Sequence, residues 1–572
     1  MHKSTLTMNL LIHWALRYLP ILKWLPKYQL SWLRADIVAG LTVWAVMVPE
    51  SMAYAGIAGV PPLVGLYTVP IPLIAYAVFG TSRTLVIGPD SATALISMGT
   101  VGAVLASYSG ATHISEFVTV TSALALIVGV IFLLLGLARM GWVANFIPTP
   151  VMKGFIQGLV WVTIIGQIPK LFGINGEQGN FFEQLFALIP NLTHANQITT
   201  AIGLGSLILL FLIKHYVPKL PSALTILMSS IIVVSMFDLS ELGVEVVGKV
   251  EAGLPVLAMP NINMNQLELL LPGALAIVLL GYAETLGAAK AASAKCGGSI
   301  DPNQELVALG PANMGTAFSG GFLVVGSLSK TSVSMGAGGE TQMASLVHAA
   351  FIILTLMFLL PLFTNLPHAA LAAIVIEAML GLLDFSYLKK LWKQSRIELS
   401  IAMIAYVAVM GIGVLQGMGL GVAVSILMLI YHASSPYSTV LGRVAGTNVF
   451  HDIRIHSNLE TIPGQLIFRF DSSLFFANAT HFEETLRAKI NAAKEPVRQV
   501  LIDAETINLI DSTATEMLLR LHNELKIKGI TLAFSRVHDT VKDKMALAGV
   551  LDVVGDEYFY ERLIDGADSF EK

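Results

Sequence analysis

One cysteine in 572 residues, Cys296, leaves the chain without an internal disulfide framework. Its place beside Gly297 and Gly298 reads as a small packing residue rather than a nucleophile. Charge is scarce as well, at 13% of residues, and the formal net charge of −4 is spread too thinly over so long a chain to point to a partner. The first 35 residues mix Lys3, Arg17, Lys23, Lys27 and Arg34 with short apolar pieces. They offer no small-residue cleavage site after a single apolar core, so no cleavable signal is expected. The charged carboxyl-terminal part has no metal-ligand cluster, no Walker-type glycine loop and no nucleic-acid patch. Neither enzymatic activity, a cofactor nor a bound metal is expected.

What the chain does have is apolar length. Hydrophobic residues make up 55%, and the mean hydropathy of +0.72 is far from that of a soluble domain. Runs near the length that crosses a hydrocarbon core of about 30 Å recur from Ile37 to about His432. Fourteen spans are predicted, near 37–55, 62–80, 88–106, 118–138, 147–168, 198–216, 222–237, 269–293, 304–318, 329–338, 344–364, 367–384, 399–415 and 417–434. The organisation expected is an amino-terminal segment over 1–35, a transmembrane domain over 36–435, a linker over 436–464 and a soluble domain over 465–572.

The loops give the sidedness. With the basic amino terminus inside, the inner loops hold Arg83, Arg139, Lys214 with Lys219, Lys290 with Lys295, and Lys389, Lys390, Lys393 with Arg396. The outer loops hold Glu116, Glu177 and Glu183, then Asp238, Glu241, Glu245 and Glu251 against Lys249. Both termini and the soluble domain are therefore expected in the cytoplasm of a cell bounded by this inner (plasma) membrane.

Two spans are short and interrupted. The third opens abruptly in TLVIGPDSATALIS, where Pro89 reads as the first helical residue, a position that costs no hydrogen bond. Seven spans later VVGSLSKTSVSMGAGG repeats the pattern, with Ser327, Ser329 and Thr331 as candidate helix caps. Broken segments at matching places in two halves point to an inverted seven-plus-seven repeat with a binding site between them. Two half-helices meeting near the midplane would offer free N–H groups and two positive dipole ends, which suits an anion. Lipid does not tolerate such breaks, so they must line a cavity or lie within protein.

Four ionisable residues fall at membrane depth: Glu50, Asp90, Glu284 and Lys330. Each would cost roughly 2.5–3.5 kcal/mol unpaired at the bilayer centre. Glu50 follows Pro49 and either caps a neighbouring helix start or takes part in transport. Glu284, mid-span with no partner close in sequence, is the candidate for a coupling ion or proton. Lys330, at the mouth of a half-helix, either attracts substrate or pairs with Asp90, whose own charge opposes an anion unless protonated or paired. For Ser91, Thr93, Ser97, Thr331 and Ser332 the plain expectation is a hydroxyl bonded back to its own helix.

LTVWAVMVPESMAYAGIAGVPPLVGLYT, TSRTLVIGPDSATA, NQELVALGPANMGTAFSGGF with SLSKTSVSMGAGGETQ, and LGRVAGTNVFHDI together resemble the sulfate permease (SulP) family of anion transporters. The likeness runs from about Leu30 to the carboxyl end. It implies the fourteen-span inverted-repeat fold of uracil-type transporters. Spans 1–4 and 8–11 would form a core that moves, elevator-fashion, against a gate of spans 5–7 and 12–14. It implies a small anion such as sulfate, bicarbonate, chloride or a dicarboxylate, held by Asp90, Ser91 and Ala92 on one side and Leu328, Ser329 and Lys330 on the other. Cation or proton coupling falls on Glu284, with Glu50 and Asp90 as further candidates. The chain departs from the family pattern at Asp90, commonly apolar or hydroxylic, and at Lys330, commonly Arg. Lysine is a point charge that can lose its proton, so proton coupling through an Asp90/Lys330 pair is also an expectation.

The soluble domain reads as α/β: alternating apolar residues in GQLIFRFDSSLFFANATHF, a buried strand, turn and amphipathic helix in QVLIDAETINLIDSTATEMLLRLHNEL, and a strand in ITLAFSR. It resembles a STAS domain, which implies a regulatory or dimerising role, and with it a homodimer and a regulatory partner. Thr513 or Ser512 matches the hydroxyl phosphorylated in anti-sigma-factor antagonists, although a hydroxyl at a helix start also serves simply as a cap. The function expected is secondary active transport of a small anion by symport with protons or sodium. The alternatives are an uncoupled exchanger, a channel-like conductor, or a membrane-tethered sensor.

Overall fold

The computed structural model describes residues 18–108, 114–146, 148–177, 179–218, 220–249, 252–297, 299–456 and 459–571. Four charges used for the sidedness, Lys3, Arg17, Lys219 and Glu251, lie outside the described residues. The chain divides into two compact units, 1–425 and 426–572.

The first unit is helical. In order it contains α1 (Leu33–Ile57), α2 (Pro62–Tyr67), α3 (Pro70–Phe79), β1 (Val86–Gly88), α4 (Ser91–Tyr108), α5 (Ile114–Leu137), α6 (Thr149–Phe172), α7 (Gln197–Tyr216), α8 (Ser222–Met236), α9 (Met264–Cys296), α10 (Pro302–Phe318), β2 (Val325–Ser327), α11 (Leu328–Gly336), α12 (Met343–Leu354), α13 (His368–Leu380), α14 (Arg396–Ile412) and α15 (Val414–Ser434), the last crossing into the second unit. Helix occupies every window in which a span was expected. Among the described residues, nine helices or consecutive helical runs are long and apolar enough to cross a membrane. Helix α9, at 33 residues, is about 50 Å long and exceeds the hydrocarbon thickness.

The packing is symmetric under exchange of the two halves. Helix α1 packs on α11 and α12, as α9 packs on α4 and α5; α3 packs on α12, as α10 packs on α5. Away from this group, α6 packs on α14, as α13 packs on α7. Small residues let these helices approach closely. A Cβ on Gly154 would lie 2.1 Å from the Ala402 carbonyl oxygen, so α6 and α14 meet backbone to backbone.

Polar pins sit inside this apolar packing. Glu305, fully buried, accepts hydrogen bonds from the Tyr76 hydroxyl at 2.7 Å and from the Thr81 N–H at 2.9 Å. Asp36, also fully buried, accepts from the N–H groups of Glu340 and Thr341 at 2.8 and 3.1 Å. Each joins parts of the chain that are distant in sequence.

The second unit is an α/β sandwich whose sheet runs β4 (Phe450–Asp452), β3 (Ser438–Val444), β6 (Gln465–Phe470), β7 (Gln499–Asp503), β8 (Thr531–Ser535), β9 (Phe559–Tyr560), with β5 (Leu459–Glu460) on β3. Strands β6 to β9 are parallel, and β3 is antiparallel to β6 with Ser438 opposite Phe470. Both faces are covered, which is why β7 is buried along its whole length. One face packs α16 (Ala479–Asn491) and α17 (Ser512–Ile527) over Phe468, Phe470 and Ile502; the other buries Ile467, Leu501 and Ala533 under Leu563 and Ala567. The stretch 436–464, expected to be a linker, instead supplies β3, β4 and β5. β4 and β5 have three and two residues, too brief to show a period, and β3, though seven residues long, does not alternate cleanly between buried and exposed.

Candidate functional site

Strands β1 and β2 pair antiparallel, with Val86 opposite Ser327, Ile87 opposite Gly326 and Gly88 opposite Val325. All six residues are buried. Extended backbone at this depth is tolerable only when its polar groups are satisfied within protein, and here side chains supply what the ladder leaves over. The hydroxyl of Thr285 on α9 accepts from the Gly326 N–H at 2.8 Å, and that of Thr331 accepts from the Val86 N–H at 3.0 Å. Asn313 both accepts from and donates to the backbone of Val324 at 3.0 Å. Gln342 donates to the carbonyls of Ser82 and Leu85 at 2.9 Å each. Gly326 is required where α9 presses on the ladder: a Cβ there would lie 2.9 Å from Thr285 Cα.

Each strand feeds a helix. Because the strands are antiparallel, α4 and α11 follow opposite ends of a ladder about 7 Å long. Helix α4 begins at Ser91, not at Pro89. Asp90 is the cap instead: its Oδ2 accepts from the Ala92 N–H at 2.8 Å, and its carbonyl accepts from the Ala94 N–H at 3.0 Å. A carboxylate at a helix start satisfies an orphan N–H and suits the dipole, which outweighs the helical preference of Pro89 for the first position. On the other side Ser327 caps α11, accepting from the Lys330 N–H at 3.4 Å, and its hydroxyl lies 3.1 Å from that of Ser329.

Lys330 is the centre of the constellation. Its side chain is 2% exposed. The ammonium stands 3.0 Å from Glu50 Oε2, a charge contact off the hydrogen-bond direction, and donates to the Pro89 carbonyl at 3.1 Å. It also lies 5.2 Å above the Tyr54 ring. The expected Asp90/Lys330 pair is therefore not formed. Glu50, one turn from Tyr54 on α1, reaches the ammonium, while the carboxylate of Asp90 is turned to its own helix start. Nor does Glu50 cap a helix start.

The remaining candidates fall around this point. Ser91 and Ala92 are buried in the first turn of α4, whereas Leu328 and Ser329 are exposed in the first turn of α11. Glu284, beside Thr285 on α9, is half-buried, has no hydrogen-bond or ion-pair partner among the described residues, and lies within the electrostatic reach of Asp90 and Lys330. Thr93 and Thr331 bond back to their own helices, at 3.3 and 2.6 Å, as expected of helix hydroxyls. Sequence reasoning missed His348 on α12, 1% exposed with neither ring nitrogen partnered among the described residues and within reach of the Lys330 charge. In the second unit Asp511 caps α17 through the Ala514 N–H at 2.9 Å. Ser512 and Thr513 are thus not the cap, and both side chains are exposed.

Chemically, the constellation offers two helix N-termini, a row of hydroxyls and one ammonium, set against three carboxyl groups. It can hold an anion by amide and dipole donors, and it can exchange protons. Comparison with known proteins agrees with such a site. Residues 33–405 match the sulfate permease family and residues 456–564 the STAS domain. A protein of Mycobacterium tuberculosis named as a probable sulfate transporter is 33% identical over 96% of this chain and 97% of its own. Sulfate transporter 4.1, chloroplastic, of Arabidopsis thaliana is 31% identical over 97% and 83%. Among solved structures, SLC26A9 superposes with a TM-score of 0.90 at 22% identity, covering 100% of this chain and 94% of that one. The transmembrane domain of the cyanobacterial bicarbonate transporter BicA gives 0.59 at 22%, over 70% and 98%. At such identity these two speak for the fold alone. With a family model over most of its length and relatives alike from end to end, the chain belongs to the sulfate permease family: it is a multi-pass membrane anion transporter with a carboxyl-terminal STAS domain.

Proposed function

We propose that this transporter carries sulfate together with protons, by an elevator-type movement of the α1–α5 and α9–α12 group against the remaining helices. The observation that carries the reading is the balance of charge in this constellation. Three carboxyls, Glu50, Asp90 and Glu284, are set against one nearby cation among the described residues, Lys330. Fully ionised, that set is net negative and repels the anion that two helix N-termini would attract. Protons on the carboxyls remove the repulsion, so proton uptake and anion binding become one event. Glu284, half-buried and without a partner among the described residues, is the carrier, with Glu50 and Asp90 as further stations. Sulfate is the anion named for the relatives. The division into mover and frame is supported by the two packing groups. The loops richer in lysine and arginine support a reading with both termini in the cytoplasm.

The test is uptake of labelled sulfate by the purified chain in liposomes under an inward proton gradient, an inward sodium gradient, or neither. Accumulation driven by protons alone supports the reading. Sodium-driven accumulation replaces the coupling ion, and flux that only follows the sulfate gradient overturns coupling altogether.

A further inference from the structure

Between α13 and α14 lies a separate helix, Phe385–Gln394, that the transport reading does not use. Asp384 caps it, accepting from the Tyr387 N–H at 3.1 Å and the Ser386 hydroxyl at 2.6 Å. The same carboxylate receives Lys153 of α6 at 2.8 Å, and that ammonium lies 5.6 Å from the Tyr387 ring, so the helix is pinned at its start. Leu391 turns inward and is 3% exposed.

The other faces are unpartnered in an ordered way. At 100° per residue, Phe385 and Trp392 lie on one edge of the buried arc and are 61% and 63% exposed. Beyond them come Lys389, Lys393 and Lys390, all exposed, and Arg396 follows, its guanidinium 5.9 Å from the Trp392 ring. None of these four cations has a carboxylate partner among the described residues, and no acid occurs between Asp384 and Glu398. Three lysines elsewhere in this unit, Lys153, Lys214 and Lys330, find carboxylates, while Lys23, Lys27, Lys290 and Lys295 have no ion pair among the described residues, so what sets this helix apart is four such cations beside two exposed aromatic rings.

We propose that Phe385–Gln394 is an interfacial helix that binds anionic phospholipid headgroups, with Phe385 and Trp392 in the acyl boundary and Lys389, Lys390, Lys393 and Arg396 among the phosphates. Aromatic side chains at headgroup level and a cationic flank are what a helix lying in the interface requires. The charge is complementary to an anionic leaflet and to nothing else described around it. The inference rests on the membrane-spanning fold and is independent of the coupling ion and substrate.

The test uses the full chain in phosphatidylcholine bilayers with rising phosphatidylglycerol, one lipid at a time carrying bromine on its acyl chains. The difference in fluorescence quenching between the unmodified chain and Trp392→Phe isolates Trp392. Quenching by brominated phosphatidylglycerol is expected at lower mole fractions than by brominated phosphatidylcholine. Each lysine contributes about fivefold to binding an anionic surface, so the K389Q/K390Q/K393Q variant should lose a preference on the order of 100-fold, and rising salt should weaken it in the unmodified chain. Equal quenching by the two lipids, no quenching at all, or a preference that survives in the triple variant overturns the proposal. So does a preference abolished by millimolar inorganic phosphate at constant ionic strength, which would assign the cations to a free anion. A thermal melt of the triple variant in phosphatidylcholine alone that matches the unmodified chain shows that it is folded.

Discussion

Neutralising Glu50 isolates the Lys330 ammonium in a site that is 2% exposed. A unit pair at 3.0 Å is worth about 5.5 kcal/mol at an effective dielectric constant of about 20. Desolvation offsets much of that in the intact pair, yet removing one partner from a buried pair costs about 3–5 kcal/mol because the other charge stays behind. In Glu50→Gln the Pro89 carbonyl at 3.1 Å and the Tyr54 ring at 5.2 Å remain as they are in the unmodified chain and cancel in the difference. Glu50→Gln is therefore expected to lose about 3–5 kcal/mol. Lys330→Met strands a carboxyl that is 16% exposed and can take up a proton, so its loss is smaller. The double variant buries no charge at this point and should lose less than the two single changes summed, with an interaction energy of about 2–3 kcal/mol. Equilibrium unfolding in mixed detergent micelles, run on all four proteins, measures this directly. Additivity to within about 0.5 kcal/mol would show that the two groups do not sense each other and would refute the pairing.

Further outcomes follow from the same geometry. Glu284→Gln should abolish proton-driven sulfate accumulation while leaving sulfate counterflow intact; equal loss of both makes Glu284 structural. Gly326→Ala places a Cβ 2.9 Å from Thr285 Cα and should lower stability by about 1–3 kcal/mol and depress uptake, read by thermal melting and flux. Lys170 of α6 donates to the Gly56 carbonyl near the end of α1 at 3.2 Å. In a Cys296→Ser background, Lys170→Met should therefore speed maleimide labelling of Ile57→Cys, and an unchanged rate removes that bond as a latch. In the STAS domain, hydrogen bonds from Lys528 and then Arg487 hold the Glu524 carboxyl below its ordinary value of 4.5. The stability this gives is present above pH 4.5 and is lost as pH falls through the lowered value. Glu524→Gln should flatten acid unfolding of the domain, and an unaltered profile assigns that unfolding to other groups.

The helices of the membrane unit were legible because lipid demands long apolar runs, and a run announces itself without reference to the rest of the chain. The interruption at Gly88–Pro89 and its echo near Gly326 were legible for the converse reason, since small and helix-breaking residues are costly there unless used. What stayed hidden was pairwise. Glu50 and Lys330 each stood out as a charge at depth, yet nothing local says which carboxylate the ammonium reaches across so many intervening residues. The strands β1 and β2, three residues each, are shorter than any alternation that sequence can display. Thr285, Asn313 and Gln342 look like ordinary polar residues in or beside helices; their work on the strand backbone appears only when the chain folds back, within the second half for Thr285 and Asn313 and across the halves for Gln342. His348 carries no local signal at all. The same limit acted in the STAS domain, where β3 to β5 gain their meaning from a partner strand downstream.

The ladder of β1 and β2 has an evolutionary corollary. The ladder is closed by main-chain pairing and by the hydroxyls of Thr285 and Thr331, so it does not use the side chains of Ser91, Ala92, Leu328 and Ser329. On the proposed site, substitutions at those four positions retune which anion fits while the ladder persists. One architecture can thus radiate into carriers of different solutes through a few exchanges. A library randomised there, leaving Gly326 and Thr285 untouched, is the place to look for new selectivities.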